Sequence, residues 1–211
     1  MSAAGPLVGA NIVLGVCGGV AAYKAVEVCR RLVKAGATVV PVLTQGATRF
    51  VGTATFNAVA SEPAQVSLFA GGYGDALGTG PVPHVSLGRR ADLVLVVPAT
   101  ARLLGSYAAG ISSDLLTALL LVTRAPVLVC PAMHTEMWEH PAVRHNVEVL
   151  RERGVQVMEP EEGELSSGDV GRGRLPEPAE IVAAAEGLLA GVPGPAAGQL
   201  HELGHGPLAG V

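Results

Sequence analysis

The sequence predicts an α/β fold: a Rossmann-like doubly wound parallel sheet flanked by helices, in a single domain. Two observations carry this. Strand-length apolar runs alternate with segments of helical spacing from residue 11 to residue 189, the pattern of repeated βα units. The runs "ADLVLVVPA" and "APVLVCPA" are apolar almost without interruption, as strands buried on both faces of a parallel sheet must be. The chain has 211 residues, 49% hydrophobic and 15% charged, which suits one substantial core and little more.

After an N-terminal extension, 1–10, "NIVLGVCG" (11–18) reads as a first strand ending in glycines. "VAAYKAVEVCRRLVKAG" follows with helical spacing, with Val20, Tyr23, Val26, Cys29, Leu32 and Val33 on one side. Arg30, Arg31 and Lys34 suit the negative end of its dipole, and Gly36 ends it. "TVVPVLT" (38–44) completes a βαβ opening. "GATRFVGTATFNAVAS" reads as one or two short helices, and "GGYGDALGTGPVP" (71–83) as a Gly/Pro-rich loop. "ADLVLVVPA" (91–99) is a strand, followed by helices in "TARLLGSYAAG" and "SSDLLTALLLVT", the second with Ser112 or Ser113 as N-cap. "APVLVCPA" is a strand, "AVRHNVEVLRERG" a helix, "VQVMEP" a strand and "PAEIVAAAEGLL" (178–189) the last helix. The Gly- and Pro-rich tail, 190–211, reads as disordered.

Composition removes several function classes. Net charge is −4, and Lys24 and Lys34 are the only lysines among 14 basic residues. No basic block exists to neutralise phosphates, so no nucleic acid partner is expected. Cys17, Cys29 and Cys130 are far apart, which suits neither a disulfide framework nor a zinc site. No apolar run is long enough for a bilayer and the N-terminus lacks a basic signal region, so the expectation is a cytoplasmic protein without a membrane partner. "HELGH" (201–205) matches a zinc-protease pattern, but Gly204, Gly206 and Pro207 discourage the helix that the pattern needs.

Ligands of a doubly wound sheet bind beyond the carboxyl ends of its strands, and four such ends are unusual. In "GVCGGVAAYK" the glycines open a helix and allow close approach of a ligand, or form a plain tight turn. In "VPATA" (97–101) small residues and a hydroxyl at a helix start suit a phosphate, or Thr100 is an ordinary N-cap. His84, in "PVPHVSLGRR", is either structural or catalytic. "PAMHTEMWEH" (131–140) holds the only Trp and two of the four Met, which could equally be core packing.

Together "GVCGGVAAYK", "PHVSLGRRADLVLVVPATA", "AAGISSDLLT", "PAMHTEMW" and "GDVGRGRLPEP" resemble, in order and spacing, the homo-oligomeric flavin-containing cysteine decarboxylases over residues 11–189. That family includes the decarboxylase half of the bacterial coenzyme A biosynthesis protein, acting on phosphopantothenoylcysteine. It also includes the peptidyl-cysteine decarboxylases of lantibiotic-type pathways. The resemblance implies FMN as cofactor, bound at a subunit interface of a trimer or of a larger assembly such as a dodecamer. It places Gly18, Gly19, Thr44, Phe50, Pro98, Ala99, Thr100, Ala101, Asp114, Ala132 and Met133 around the flavin. It implies that His84 is catalytic, managing protons beside flavin and substrate. It gives His134, where the family usually has Asn, the substrate carboxylate, with Met137, Trp138, Ser167 and Asp169 also on the substrate side.

The implied chemistry needs a flavin because a cysteine carboxylate losing CO2 has no electron sink. Oxidation on the thiol side creates one. In the coenzyme A enzymes a flap cysteine then protonates the ene-thiol during its reduction. Here Ser167 stands at that place, in "LSSGDVG", and residues 190–211 are too few for a synthetase half, so none is expected. Both features point first to oxidative decarboxylation of a C-terminal cysteine of a ribosomal precursor peptide, ending at an aminoenethiol. The alternatives are a phosphopantothenoylcysteine decarboxylase and, in another class, a non-catalytic flavin-binding regulatory subunit, in which the loss of His84 would be expected.

Overall fold

The structure, a computed structural model, describes residues 5–69 and 82–191. The sheet is parallel, in the order β2-β1-β3-β4-β5, formed by β1 (Asn11–Val16), β2 (Thr38–Leu43), β3 (Leu93–Ala99), β4 (Val127–Pro131) and β5 (Gln156–Val157). The order reverses at β1, so the crevice beyond the carboxyl ends of β1 and β3 is the place a ligand would occupy. All seven residues of β3 and all five of β4 are buried, as their unbroken apolar runs predict. Pro41 is tolerated because β2 is the outer strand. Beyond it the chain returns alongside through a bridge from Val42 to Gln65.

Two apolar layers cover the sheet. On one face lie α1 (Ala22–Lys34) and α8 (Pro178–Ala190), with α2 (Thr53–Asn57) contributing Phe56. On the other lie α3 (Pro83–Arg90), α4 (Ala101–Ala108), α5 (Leu115–Val122), α6 (Thr135–Glu139) and α7 (Pro141–Glu152). A 3-10 turn occupies Ala47–Arg49. No helix among the described residues is long and apolar enough to cross a membrane.

Four expectations need correction. The buried face of α1 is Ala22, Ala25, Val28, Cys29 and Leu32, whereas Val20 and Tyr23 are exposed. The small residues let α1 sit close to the sheet and turn the larger side chains at its start outward. The cap of α5 is neither Ser112 nor Ser113. Asp114 accepts from the Thr117 N–H at 2.8 Å, and Thr117 Oγ1 accepts from the Asp114 N–H at 3.1 Å, closing a capping box. The strand expected at "VQVMEP" shortens to two residues, Gln156 and Val157, which pair with Leu128 and Val129 of β4. Finally, the stretch before α8, whose sequence shows no strand period, is an antiparallel hairpin, β6 (Glu161–Glu164) and β7 (Val170–Arg174). The tail from 192 onward, with "HELGH", and nearly all of the 71–83 loop lie outside the described residues.

Candidate functional site

A cavity of about 860 Å³ opens beyond the carboxyl ends of β1, β3 and β4. Its walls come from the β1–α1 turn, the start of α4, the Ala132–His134 segment with Met137, and the hairpin with its exit through Leu175 to Pro178. Each wall follows from local chemistry.

The β1–α1 turn is set by backbone contact. A Cβ on Gly18 would lie 2.6 Å from the Gly46 carbonyl carbon, so this turn and the one after β2 can meet only if the residue is glycine. Gly19 has nothing within 4 Å of such an atom and borders the cavity. Beside it, Thr100 Oγ1 accepts from the Leu103 N–H at 3.4 Å as the N-cap of α4. The first N–H groups of α4, at Ala101 and Arg102, have no acceptor within the helix. They point from a helix N-terminus that favours negative charge. Val97–Pro98 is a cis peptide, and Pro98, Thr100 and Ala101 border the cavity. Under this floor Cys17 is fully enclosed. Burial pushes its thiol up to about 12, with hydrogen bonds from Thr100 pulling partly back, so it is a poor nucleophile.

The third wall depends on the hairpin. Met133 N–H donates to the Gly173 carbonyl at 3.0 Å. A Cβ on Gly173 would sit 2.0 Å from the Met133 oxygen, and one on Gly171 would sit 2.2 Å from Thr135 Oγ1. The alternating glycines of "GDVGRGR" therefore let β7 lie directly on the segment after β4. His134 borders the cavity without a side-chain hydrogen bond as N-cap of α6. Thr135 Oγ1 is buried beneath β7 with no partner among the described residues. At the hairpin base Arg174 donates to Glu161 at 2.7 Å and holds that carboxyl below the usual range.

The residues singled out from sequence divide into groups. Gly18, Gly19, Pro98, Thr100, Ala101, Ala132, Met133, His134 and Met137 are brought together around the cavity. Ala99 lies just beneath it, as a buried sheet residue. Thr44, Phe50, His84 and Asp114 stand on the same edge of the sheet but do not border the cavity of a single chain. Thr44 Oγ1 caps the turn after β2 through Ala47 N–H, at 3.3 Å. Phe50 is 54% exposed. His84, in the first turn of α3, belongs to the layer opposite α1, and its Nδ1 is buried without a partner among the described residues. The Asp114 carboxylate is occupied by Thr117.

Trp138 is a correction. It is 1% exposed and packs in the core with Arg144 over its ring at 5.9 Å. One residue along a helix turns about 100°, so Met137 faces the cavity and Trp138 does not. Ser167 and Asp169 pair with each other on the exposed hairpin turn at 2.8 Å, and Ser166 is the serine that borders the cavity. Sequence reasoning missed Val20, Tyr23, Lys24, Glu164, Arg174 and Glu177, all bordering the cavity. The spaced glycines at 163, 168, 171 and 173 were the available signal for the hairpin that carries two of them.

Comparison with known proteins fits this geometry. The family described as Flavoprotein matches residues 2–190. The coenzyme A biosynthesis bifunctional protein CoaBC of Mycobacterium tuberculosis is 52% identical over 179 residues, covering 85% of this chain and 41% of the relative. The chain thus spans less than half the length of that relative. Among solved structures, a Cys-to-Ser variant of a PPC decarboxylase complexed with pantothenoylaminoethenethiol superposes with a TM-score of 0.74 at 28% identity, over 84% of this chain and 96% of that one. The FMN-dependent cysteine decarboxylase SpaF gives 0.68 at 30%, over 87% and 97%. These similarities favour the coenzyme A alternative over the peptide reading placed first from sequence.

Proposed function

The chain belongs to the flavoprotein family, and from that premise we propose that it is an FMN-dependent decarboxylase of phosphopantothenoylcysteine. The observation that carries the substrate is the 52% identity to CoaBC across 179 residues. FMN suits the residues present. The Gly18–Gly19 turn leaves open space, the start of α4 offers free N–H groups and the Thr100 hydroxyl to a phosphate, and Pro98, Ala132 and Met133 supply apolar walls. When bound, the flavin supplies a reversible hydride acceptor, the electron sink that the substrate lacks.

The remaining work falls to this chain's own groups. His134 borders the cavity with its ring free to donate to the substrate carboxylate. Met137 and the hairpin, through Leu165 and Ser166, enclose the substrate and keep water from it. His84 exchanges the proton beside the reacting thiol. Because His84 does not border the cavity of its own chain, a complete site draws it from a neighbouring copy, in a trimer or a dodecamer built from trimers.

The peptide reading retains one specific observation. The hairpin contains no cysteine, and the Ser167 hydroxyl is bonded to Asp169 at 2.8 Å. A hydroxyl is far less acidic than a thiol, so reduction of an ene-thiol is harder here. Mass spectrometry decides between the readings. Incubation with phosphopantothenoylcysteine beside peptides ending in cysteine is expected to remove CO2 from the small substrate. Loss of CO2 and two hydrogens from peptides alone would overturn the assignment.

A further inference from the structure

Lys24 lies in the first turn of α1 and borders the cavity. Its side chain is only 12% exposed, and its Nζ donates to the Leu175 carbonyl at 3.1 Å and to Glu177 Oε1 at 2.9 Å. Three elements meet at this ammonium. The first is α1, whose preceding turn carries Gly18 and Gly19. The second is the exit of β7, where Leu175 is 1% exposed. The third is the start of α8, where the Glu177 N–H donates to Glu180 Oε2 at 3.4 Å. Arg174 approaches the same carboxylate at 3.6 Å while bonding Glu161 across the hairpin base.

An exposed ion pair here would contribute little. Lys24 differs because it is largely withdrawn from water and satisfies a buried carbonyl as well as a carboxylate. The α1–α8 contact does not depend on it, since Cys29, Leu32, Ile181 and Ala185 already pack in one apolar cluster. Leu175 packs in that cluster too, and Lys24 adds to it a polar link from α1, just after the glycine turn, to the exit of the hairpin. We propose that Lys24 is a positioning residue that fixes the 161–174 hairpin over the cavity relative to the Gly18–Gly19 turn, and so sets how tightly substrate is held. The catalytic half of this inference rests on the function proposed above; the structural half does not.

The test compares Lys24→Met, Lys24→Arg and Glu177→Gln in the flavin-loaded protein, with Lys34→Met as control, since Lys34 is the other lysine and is exposed at the far end of α1. Hydrogen exchange is followed in the hairpin peptide and in β3. Lys24→Met is expected to speed hairpin exchange about tenfold while β3 is unchanged, and to raise KM about tenfold with kcat altered less than about threefold. Glu177→Gln should give a smaller shift in the same direction, Lys24→Arg should recover most of the loss, and Lys34→Met should change nothing. Hairpin exchange that stays at the wild-type rate, exchange that rises equally in β3, or a fall in kcat at constant KM would each overturn the proposal. If the wild-type protein turns over no cysteine substrate, the functional reading fails, and the exchange ratio still decides whether Lys24 holds the hairpin.

Discussion

His134 shows what one side chain decides at this site. Its neighbours in "PAMHTEMW" have plain structural duties: Met133 binds Gly173 through the backbone, Thr135 lies beneath β7 and Trp138 fills the core. The His134 side chain makes no hydrogen bond among the described residues and borders the cavity. A charge-assisted bond to a carboxylate contributes about 1.5–3 kcal/mol, so His134→Ala should raise KM about 10- to 100-fold with a smaller effect on kcat. His134→Asn, which keeps a donor, should lose less, and steady-state kinetics of CO2 release separate the two. The glycines give a second contrast. Gly18→Ala must push against the Gly46 backbone at 2.6 Å and should cost about 1–3 kcal/mol in urea unfolding. Gly19→Ala meets no protein atom within 4 Å, so stability should stay within about 0.5 kcal/mol. Its methyl group would instead occupy ligand space, and flavin affinity, read by absorbance titration, should fall about tenfold or more.

At the level of elements, the helices and central strands were legible because their apolar periodicity is local. The hairpin was not. Its strands "EEGE" and "VGRGR" carry too few apolar residues to show a period of two, and they are strands because they pair with each other and rest on the segment after β4. The cap of α5 is a related case. Ser112, Ser113 and Asp114 are all competent N-caps by type, and only the backbone turn at Asp114 lets its carboxylate reach the Thr117 N–H. Asp114→Ala should therefore cost about 1 kcal/mol, within about 0.5–2, measured by urea unfolding of the flavin-free protein. Asp114→Asn, which keeps the acceptor, should cost less. If the carboxylate instead served mainly the flavin, stability without flavin would be unchanged and affinity would fall.

For the whole molecule, the role proposed for His84 depends on assembly. His84 shares the carboxyl edge of the sheet with the cavity and lies in the same helical layer as α4 and α6, but does not border the cavity. The exposed Phe50 and Met137 lie on the same edge. A neighbouring copy would cover such side chains and supply its own His84. Co-production of His84→Asn with a Gly19→Val chain that excludes flavin is expected to restore activity that neither variant has alone, because some interfaces then combine an intact turn with an intact histidine. Mixed assemblies as inactive as their parents would show that each site is built within one chain. Light scattering on the flavin-bound protein should report three subunits or a multiple.

The sequence by itself determined the sheet, its parallel sense and the strand ends at which a ligand would gather. Buried parallel strands must be apolar throughout, and glycines must follow them where backbones approach. Through its joined motifs it also pointed to the flavin-dependent decarboxylases. Only the tertiary structure decided which members of those motifs share one cavity. Met137 and Trp138 are adjacent in sequence, yet Met137 borders the cavity and Trp138 is buried in the core, and Ser166 borders the cavity where Ser167 does not. Lys24 meets Glu177 across 153 positions. Contacts of that separation leave no periodic trace in a single sequence, because they depend on how independently formed elements pack and not on the spacing within any one of them.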